Sequence, residues 1–132
     1  MDMAIEAAQV FEMDEFPIVT FRNDAIQPGY ASRWVREMEA LVKRGEPFVI
    51  VFLPNRPDEE QEDRKLRAVW LKTHKDELSG ICRALITVEP DVLQRVESAK
   101  EAQAMQKAFG LLLVSVETED EARDLACSLL AA

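Results

Sequence analysis

Pro47-Phe48-Val49-Ile50-Val51-Phe52-Leu53-Pro54 sets six apolar residues in a row between two prolines. The run is far too short to span a bilayer and too uniformly apolar for a strand with one wet face. It predicts a strand covered on both sides, as in the middle of a parallel sheet. The prolines mark its ends, because neither can donate a ladder hydrogen bond.

Upstream of this strand, Tyr30, Trp34, Met38, Leu41 and Val42 recur at helical spacing, with Arg33, Arg36, Glu37 and Glu39 mostly on other faces. Gly45 suits the left-handed C-cap of that helix. Asn23 to Gly29 contains Asn-Asp and Pro-Gly and reads as a loop. Phe16 to Arg22 predicts a strand, preceded by a turn at Asp14-Glu15. Ala7 to Met13 reads either as an antiparallel edge strand or as a short helix, and residues 1–6 as a loose terminus.

Downstream, Asp58 and Gln61 fit a capping box, and acids crowd the following turn. One long helix is expected from there to Gly80, with Leu66, Val69, Trp70, Thr73 and Leu78 inward. Cys82 to Val88 reads as a strand. Glu89-Pro90-Asp91 opens a helix, defined by Leu93, Val96, Lys100, Ala104 and Phe109, that ends at Gly110. Leu111 to Val116 reads as the last strand. Thr118 and Glu121 form a capping box for a final helix with the stripe Ala122, Leu125, Ala126, Leu129 and Leu130.

Strands alternating with helices imply parallel pairing and right-handed crossovers. The fold class is therefore α/β: a single sandwich of four to five mostly parallel strands with helices on both faces, one domain over residues 1–132. Val49, Val51, Ile86, Val88, Leu112 and Val114 are expected to be nearly inaccessible. Both cysteines, Cys82 and Cys127, are expected to be buried thiols. The cysteine count shows no disulfide framework and the N-terminus lacks a basic region followed by an apolar core, so a cytoplasmic location is expected.

The chain has 132 residues, 48% hydrophobic and 31% charged. That suffices to bury roughly two-thirds of the unfolded surface. The formal net charge of -9 repels phosphate backbones and argues against nucleic acid as a partner. No apolar run is long enough for a membrane span.

Three segments carry a likeness to a known family. They are Ile86-Thr87-Val88-Glu89-Pro90-Asp91-Val92, Phe109-Gly110-Leu111-Leu112-Leu113-Val114 and Thr118-Glu119-Asp120-Glu121-Ala122. With the element order, they resemble the STAS family, the anti-sigma-factor antagonist domains. The resemblance implies a STAS-like topology and a binding role. Family members regulated by phosphorylation carry an acid-serine-serine-glycine or similar sequence after the central strand. Pro54-Asn55-Arg56-Pro57-Asp58 stands there instead, so the resemblance implies no phosphorylation switch.

Ligands of open parallel sheets lie at the carboxyl ends of the strands. Asn23, Asp24, Asn55, Arg56, Asp58, Glu89 and Glu117 are expected to reach that rim, and all but Glu117 are the ligand-binding candidates. Acids gathered there could hold magnesium; alternatively Asp58 and Thr118 are caps and the glutamates solvated strand ends. His74 stands among charges late in a helix, a surface position rather than a base. The four glycines are too scattered for a phosphate loop, and no CxxC or G-x-S-x-G occurs. Trp34 and Trp70 either pack on the sheet or face a partner. Arg64, Lys65, Arg67, Lys72 and Lys75 put positive charge on one segment of an acidic chain, a solvated face or a docking patch. Trp34, Trp70, Lys72 and Lys75 are thus the interaction candidates.

These residues point to a small non-catalytic protein-interaction or regulatory module without metal or cofactor, whose partner is a protein or a second copy in a homodimer. The alternative is a small-molecule or metal-binding protein, or an enzyme, using the strand-end rim. Converging acids would favour the alternative, a broad exposed apolar patch the module.

Overall fold

The structure is a computed structural model that describes residues 10–131. Five strands form one sheet in chain order: β1 (Phe11–Glu12), β2 (Ile18–Phe21), β3 (Phe48–Phe52), β4 (Cys82–Val88) and β5 (Leu113–Val116). β1 pairs antiparallel with β2, and every other pairing is parallel. β3 lies at the centre, as its uniformly apolar sequence requires. The helices are α1 (Ala31–Arg44), α2 (Gln61–Thr73), α3 (Lys75–Ile81), α4 (Val92–Phe109) and α5 (Glu119–Ala131). The strand expected within residues 7–13 is seen as Phe11–Glu12; residues 1–9 lie outside the described residues.

Right-handed crossovers between strands that advance steadily across a sheet place every crossover helix on the same face. The packing follows that rule. Val19, Phe21, Phe48, Ile50 and Leu85 project into one core with Trp34 and Met38 of α1, Trp70 of α2, Leu78 of α3 and Phe109 of α4. Val49, Val51, Ala84, Ile86 and Val88 project the other way, and among the described residues the helix that covers them is α5, through Ala122, Ala126 and Leu129. Helices thus cover both faces, unequally.

The expected long helix is broken. α2 ends and α3 begins at His74, whose φ of -110° and ψ of 17° are not helical. α4, not this segment, is the longest helix at 18 residues. The Asp58–Gln61 box does not form: Glu60 is the N-cap, without a side-chain cap bond. Glu59 is held inward by Tyr30 and Arg67, so the helix starts beyond Asp58. Nor do Leu66, Val69 and Thr73 face in. Asp63, Trp70 and Leu78 do, leaving Leu66 and Val69 exposed. Gly80 lies inside α3, which runs on to Ile81. Pro90 precedes the N-cap of α4, Asp91, whose carboxylate accepts from the Leu93 amide. Leu112 is exposed and Val114 half-buried, because β5 is an edge strand with fewer neighbours than β3.

The Thr118–Glu121 box forms as expected. The Thr118 hydroxyl accepts from the Glu121 amide at 3.1 Å, and the Glu121 carboxylate accepts from the Thr118 amide at 3.1 Å. Replacing Thr118 by alanine is expected to lower stability by about 1 kcal/mol, read as a shift in the urea midpoint. A midpoint equal to that of the parent chain would show the cap to be idle.

Candidate functional site

The carboxyl ends of β2 and β3 are tied together. Asn23 Nδ2 donates to the Pro54 carbonyl at 3.0 Å, while Asn23 Oδ1 is buried without a partner. Asn55 takes a left-handed φ of 65°, which asparagine tolerates, and turns the chain back after β3. Arg56 stands over the Phe52 ring at 5.1 Å. Its surface is exposed, yet neighbouring atoms crowd it. Loss of water, and then the like charge of Arg67, lowers its pKa.

Behind this edge lies a polar network. Glu59 accepts from the Tyr30 hydroxyl at 2.7 Å and from Arg67 Nε at 2.8 Å, and Arg67 makes a second, closer contact to its other oxygen. The Arg67 guanidinium also sits 5.4 Å over the Trp34 ring. Burial alone would raise the Glu59 carboxyl. The hydrogen bonds from Arg67 and Tyr30, with the charges of Arg67 and Arg64, outweigh it and hold the group below the usual glutamate value. Burial would likewise lower Arg67, but Glu59 outweighs it and the value is raised. Tyr30 is pushed up, first by burial and then by its bond to Glu59, so its hydroxyl remains a donor.

The network has a pH signature. Glu59 is held in its charged form when folded, so its contribution is full above pH 4.5 and is lost as pH falls through the lower folded value. Replacing Glu59 by glutamine should therefore cost most stability near neutrality, with the deficit shrinking in acid. Urea unfolding at a series of pH values checks this, and a deficit that stays constant down to about pH 3 contradicts it.

Asp63 is buried at 5% exposure and reaches from α2 to the start of α1. Its carboxylate accepts from the Gly29 amide at 2.9 Å and the Ala31 amide at 3.2 Å, supplying the cap that Tyr30 at the N-cap does not. Neither Asp63 nor the Glu59–Arg67 pair is a sequence-based candidate. The signal was the spacing of Asp63, Arg67, Trp70 and His74, one helical face whose polar members hid it.

The other rim candidates do not converge with these. Asp24 is exposed and pairs with Arg22 at 3.0 Å. Asp58 is exposed before α2. Glu89 accepts from the Asp91 amide, and its carbonyl accepts from Arg95, so it shapes the entry to α4. Glu117 is exposed and donates its amide to Glu121. Among the described residues no group of three or more histidine, cysteine, aspartate or glutamate side chains could hold a metal ion.

Trp34 and Trp70 are buried and pack edge to face at 5.4 Å, so neither presents an aromatic surface. Lys72 and Lys75 are exposed. His74 is half-buried, stacked on Trp70 at 4.3 Å, and its Nδ1 lies 3.0 Å from the Trp70 carbonyl, so that nitrogen carries the proton. Cys82 is buried, and burial pushes its thiol up to about 12. Cys127, contrary to expectation, is exposed, because α5 turns its alanine stripe to the sheet. A disulfide-exchange reagent is thus expected to titrate one thiol in the folded protein and two in urea. Two fast thiols without denaturant would contradict the burial of Cys82.

A second surface lies at the far end of the sheet. Val92, Leu93 and Val96 on the first turns of α4 are 58%, 72% and 59% exposed. Between α4 and β5 runs a groove of about 460 Å³ lined by Val92, Val96, Ala99 and Ala102 of the helix and Leu113 and Ser115 of the strand. Arg95 closes one end, tied to the Glu89 and Pro90 carbonyls. The Leu112 carbonyl accepts from Leu85 of β4 and the Val116 carbonyl from Glu89 just past its end. By the alternation of a parallel ladder, the amides and carbonyls of Leu113 and Ser115 point away from the sheet. No described strand pairs with that edge, and it carries no lysine, proline or bulge to blunt it. No helix among the described residues is long and apolar enough to cross a membrane. The chain matches no family model, no curated protein and no solved structure.

Proposed function

We propose that this chain is a non-catalytic protein-interaction module that docks an extended segment of a partner protein along the free edge of β5. The observation that carries the reading is the pairing of an unblunted strand edge with an exposed apolar groove. Outward amides and carbonyls at Leu113 and Ser115 call for a strand, and Val92 and Val96 call for apolar side chains at alternate positions of it. The net charge of -9 favours basic flanks on the partner and disfavours a second copy. The rim supports the same reading, since Glu59, Tyr30 and Arg67 are occupied with one another. The binding role that the resemblance to the STAS family implies agrees with this reading.

Selection from a random decapeptide library tests the proposal. Recovered peptides should alternate apolar residues between basic flanks. They should lose at least about tenfold in affinity for Ser115→Pro, which removes an edge donor, and for Val96→Glu, which charges the groove. Peptides that bind both variants as well as the parent would overturn it. Sedimentation of the unliganded chain reads the other occupant: a dimer that Ser115→Pro dissociates would replace the foreign partner with a second copy.

A further inference from the structure

We infer that the segment docked along β5 is the carboxyl-terminal end of its partner protein, with its terminal carboxylate held by Arg95. The inference rests on the docking proposed above and narrows it to one polarity: the segment runs parallel to β5, and its basic flank lies on the amino side. Arg95 is the one charged side chain among the described residues that line the groove. It is positive in a chain whose net charge is -9. For apolar side chains alone a guanidinium at the end of the groove is a cost, because covering a charge without giving it a partner is unfavourable. An anion on the docked segment turns that cost into a contact.

The place of the charge follows from the turn after β4. The Glu89 amide donates to the Val116 carbonyl at 2.7 Å, so Glu89 and Pro90 stand beside the carboxyl end of β5. Arg95 Nη1 donates to the Glu89 carbonyl at 2.7 Å and to the Pro90 carbonyl at 3.0 Å. Those bonds use both hydrogens of Nη1 and pin the guanidinium at that end. Nε and Nη2 form the side fork of the group, and neither has a partner among the described residues. The acids of the same turn are engaged elsewhere. The Glu89 carboxylate accepts from the Asp91 amide at 3.1 Å, and the Asp91 carboxylate from the Leu93 amide at 2.9 Å. The donor on offer is therefore the guanidinium and not the start of α4.

Strand direction decides what meets that fork. A segment parallel to β5 gives one amide to the Ser115 carbonyl, and the carbonyl carbon of the same residue then lies about level with Val116, beside the Glu89-Pro90 corner. If the segment ends there, that carbon carries a carboxylate, and the fork offers it two parallel N–H bonds. If the chain runs on, the fork meets a neutral peptide carbonyl, a weaker acceptor. An antiparallel segment that begins there sets an ammonium against the guanidinium. Val92 and Val96 flank Arg95 on α4 and line the groove at the same end, so they receive the last apolar side chain of the segment.

Paired selections against the full chain test this: random decapeptides displayed at the carboxyl end of a carrier, and the same library followed by a fixed glycine-serine tail. The first is expected to give the tighter binders, with an apolar last residue. The tightest peptide is then synthesised as its free acid and as its amide. The acid should bind at least about tenfold more tightly, with the gap shrinking at high salt. Arg95→Gln should erase the gap by weakening the acid alone, and Arg95→Lys, which keeps the charge and loses the fork, should retain part of it. An unchanged urea midpoint and unchanged affinity for the amide show that the Glu89-Pro90 corner survives the substitution. Equal binding of acid and amide, both still weakened by Ser115→Pro, would overturn the chain-end reading and leave the edge docking standing. Equal losses of acid and amide on Arg95→Gln would also overturn it, making Arg95 a prop for the corner. If Ser115→Pro weakens no recovered peptide, the docking itself fails, and the chain-end reading with it.

Discussion

Truncating Ile50 to alanine is expected to lower the free energy of unfolding by about 2–5 kcal/mol. Ile50 is 2% exposed at the middle of β3, with Val19 of β2 and Leu85 of β4 as its neighbours across the ladder. Its side chain points into the core shared with Trp34, Met38 and Trp70. Alanine there loses the transfer energy of the missing carbons and leaves a void between a sheet and helices that cannot fully close it. The urea midpoint should fall while the slope stays near that of the parent. An unmoved midpoint would mean that β3 is not the centre of the sheet.

Asp63→Ala is expected to cost about 2–4 kcal/mol, because two amides at the start of α1 lose their acceptor at roughly 1–3 kcal/mol each. The damage should be local as well as global. Hydrogen exchange at Gly29 and Ala31 should quicken before the rest of α1 responds. Asp63→Asn keeps one acceptor oxygen and should recover part of the loss. If Asp63→Ala unfolds within about 0.5 kcal/mol of the parent, water replaces the carboxylate and the cap is not structural.

Much of the architecture was legible because hydrophobic pattern and terminus chemistry agreed. The six-residue apolar run, Gly45 with its φ of 72° and the Thr118–Glu121 box each state one local preference, and the fold satisfies all of them. The errors fall where a tertiary contact overrides a local one. Asp58 is a good cap by itself, yet the pull of Tyr30 and Arg67 on Glu59 moves the start of α2 past it. Leu66 and Val69 read as core by hydrophobicity, but Asp63 must reach α1 and Trp70 must meet Trp34, and those demands set the rotation of the helix. Leu112 looked like Val49 because both sit in apolar runs, and only position in the sheet tells an edge strand from a central one. Of the named site residues, Asn23, Asn55 and Arg56 do gather at one strand end. The network beside them escaped notice because its members lie far apart in sequence, with Tyr30 and Glu59 separated by 29 positions.

The lone helix beneath the sheet has a consequence for biosynthesis. The four crossover helices are complete once Phe109 has emerged from the ribosome, so the upper side of the sheet can form during translation. Among the described residues, the helical cover of Val49, Val51, Ala84, Ile86 and Val88 comes from residues 119–131, and until these follow that apolar side of the sheet lacks its helix. That interval is when a chaperone would be needed. A premature stop just before Thr118 would make it permanent, yielding a product with every strand in place that aggregates through its uncovered side.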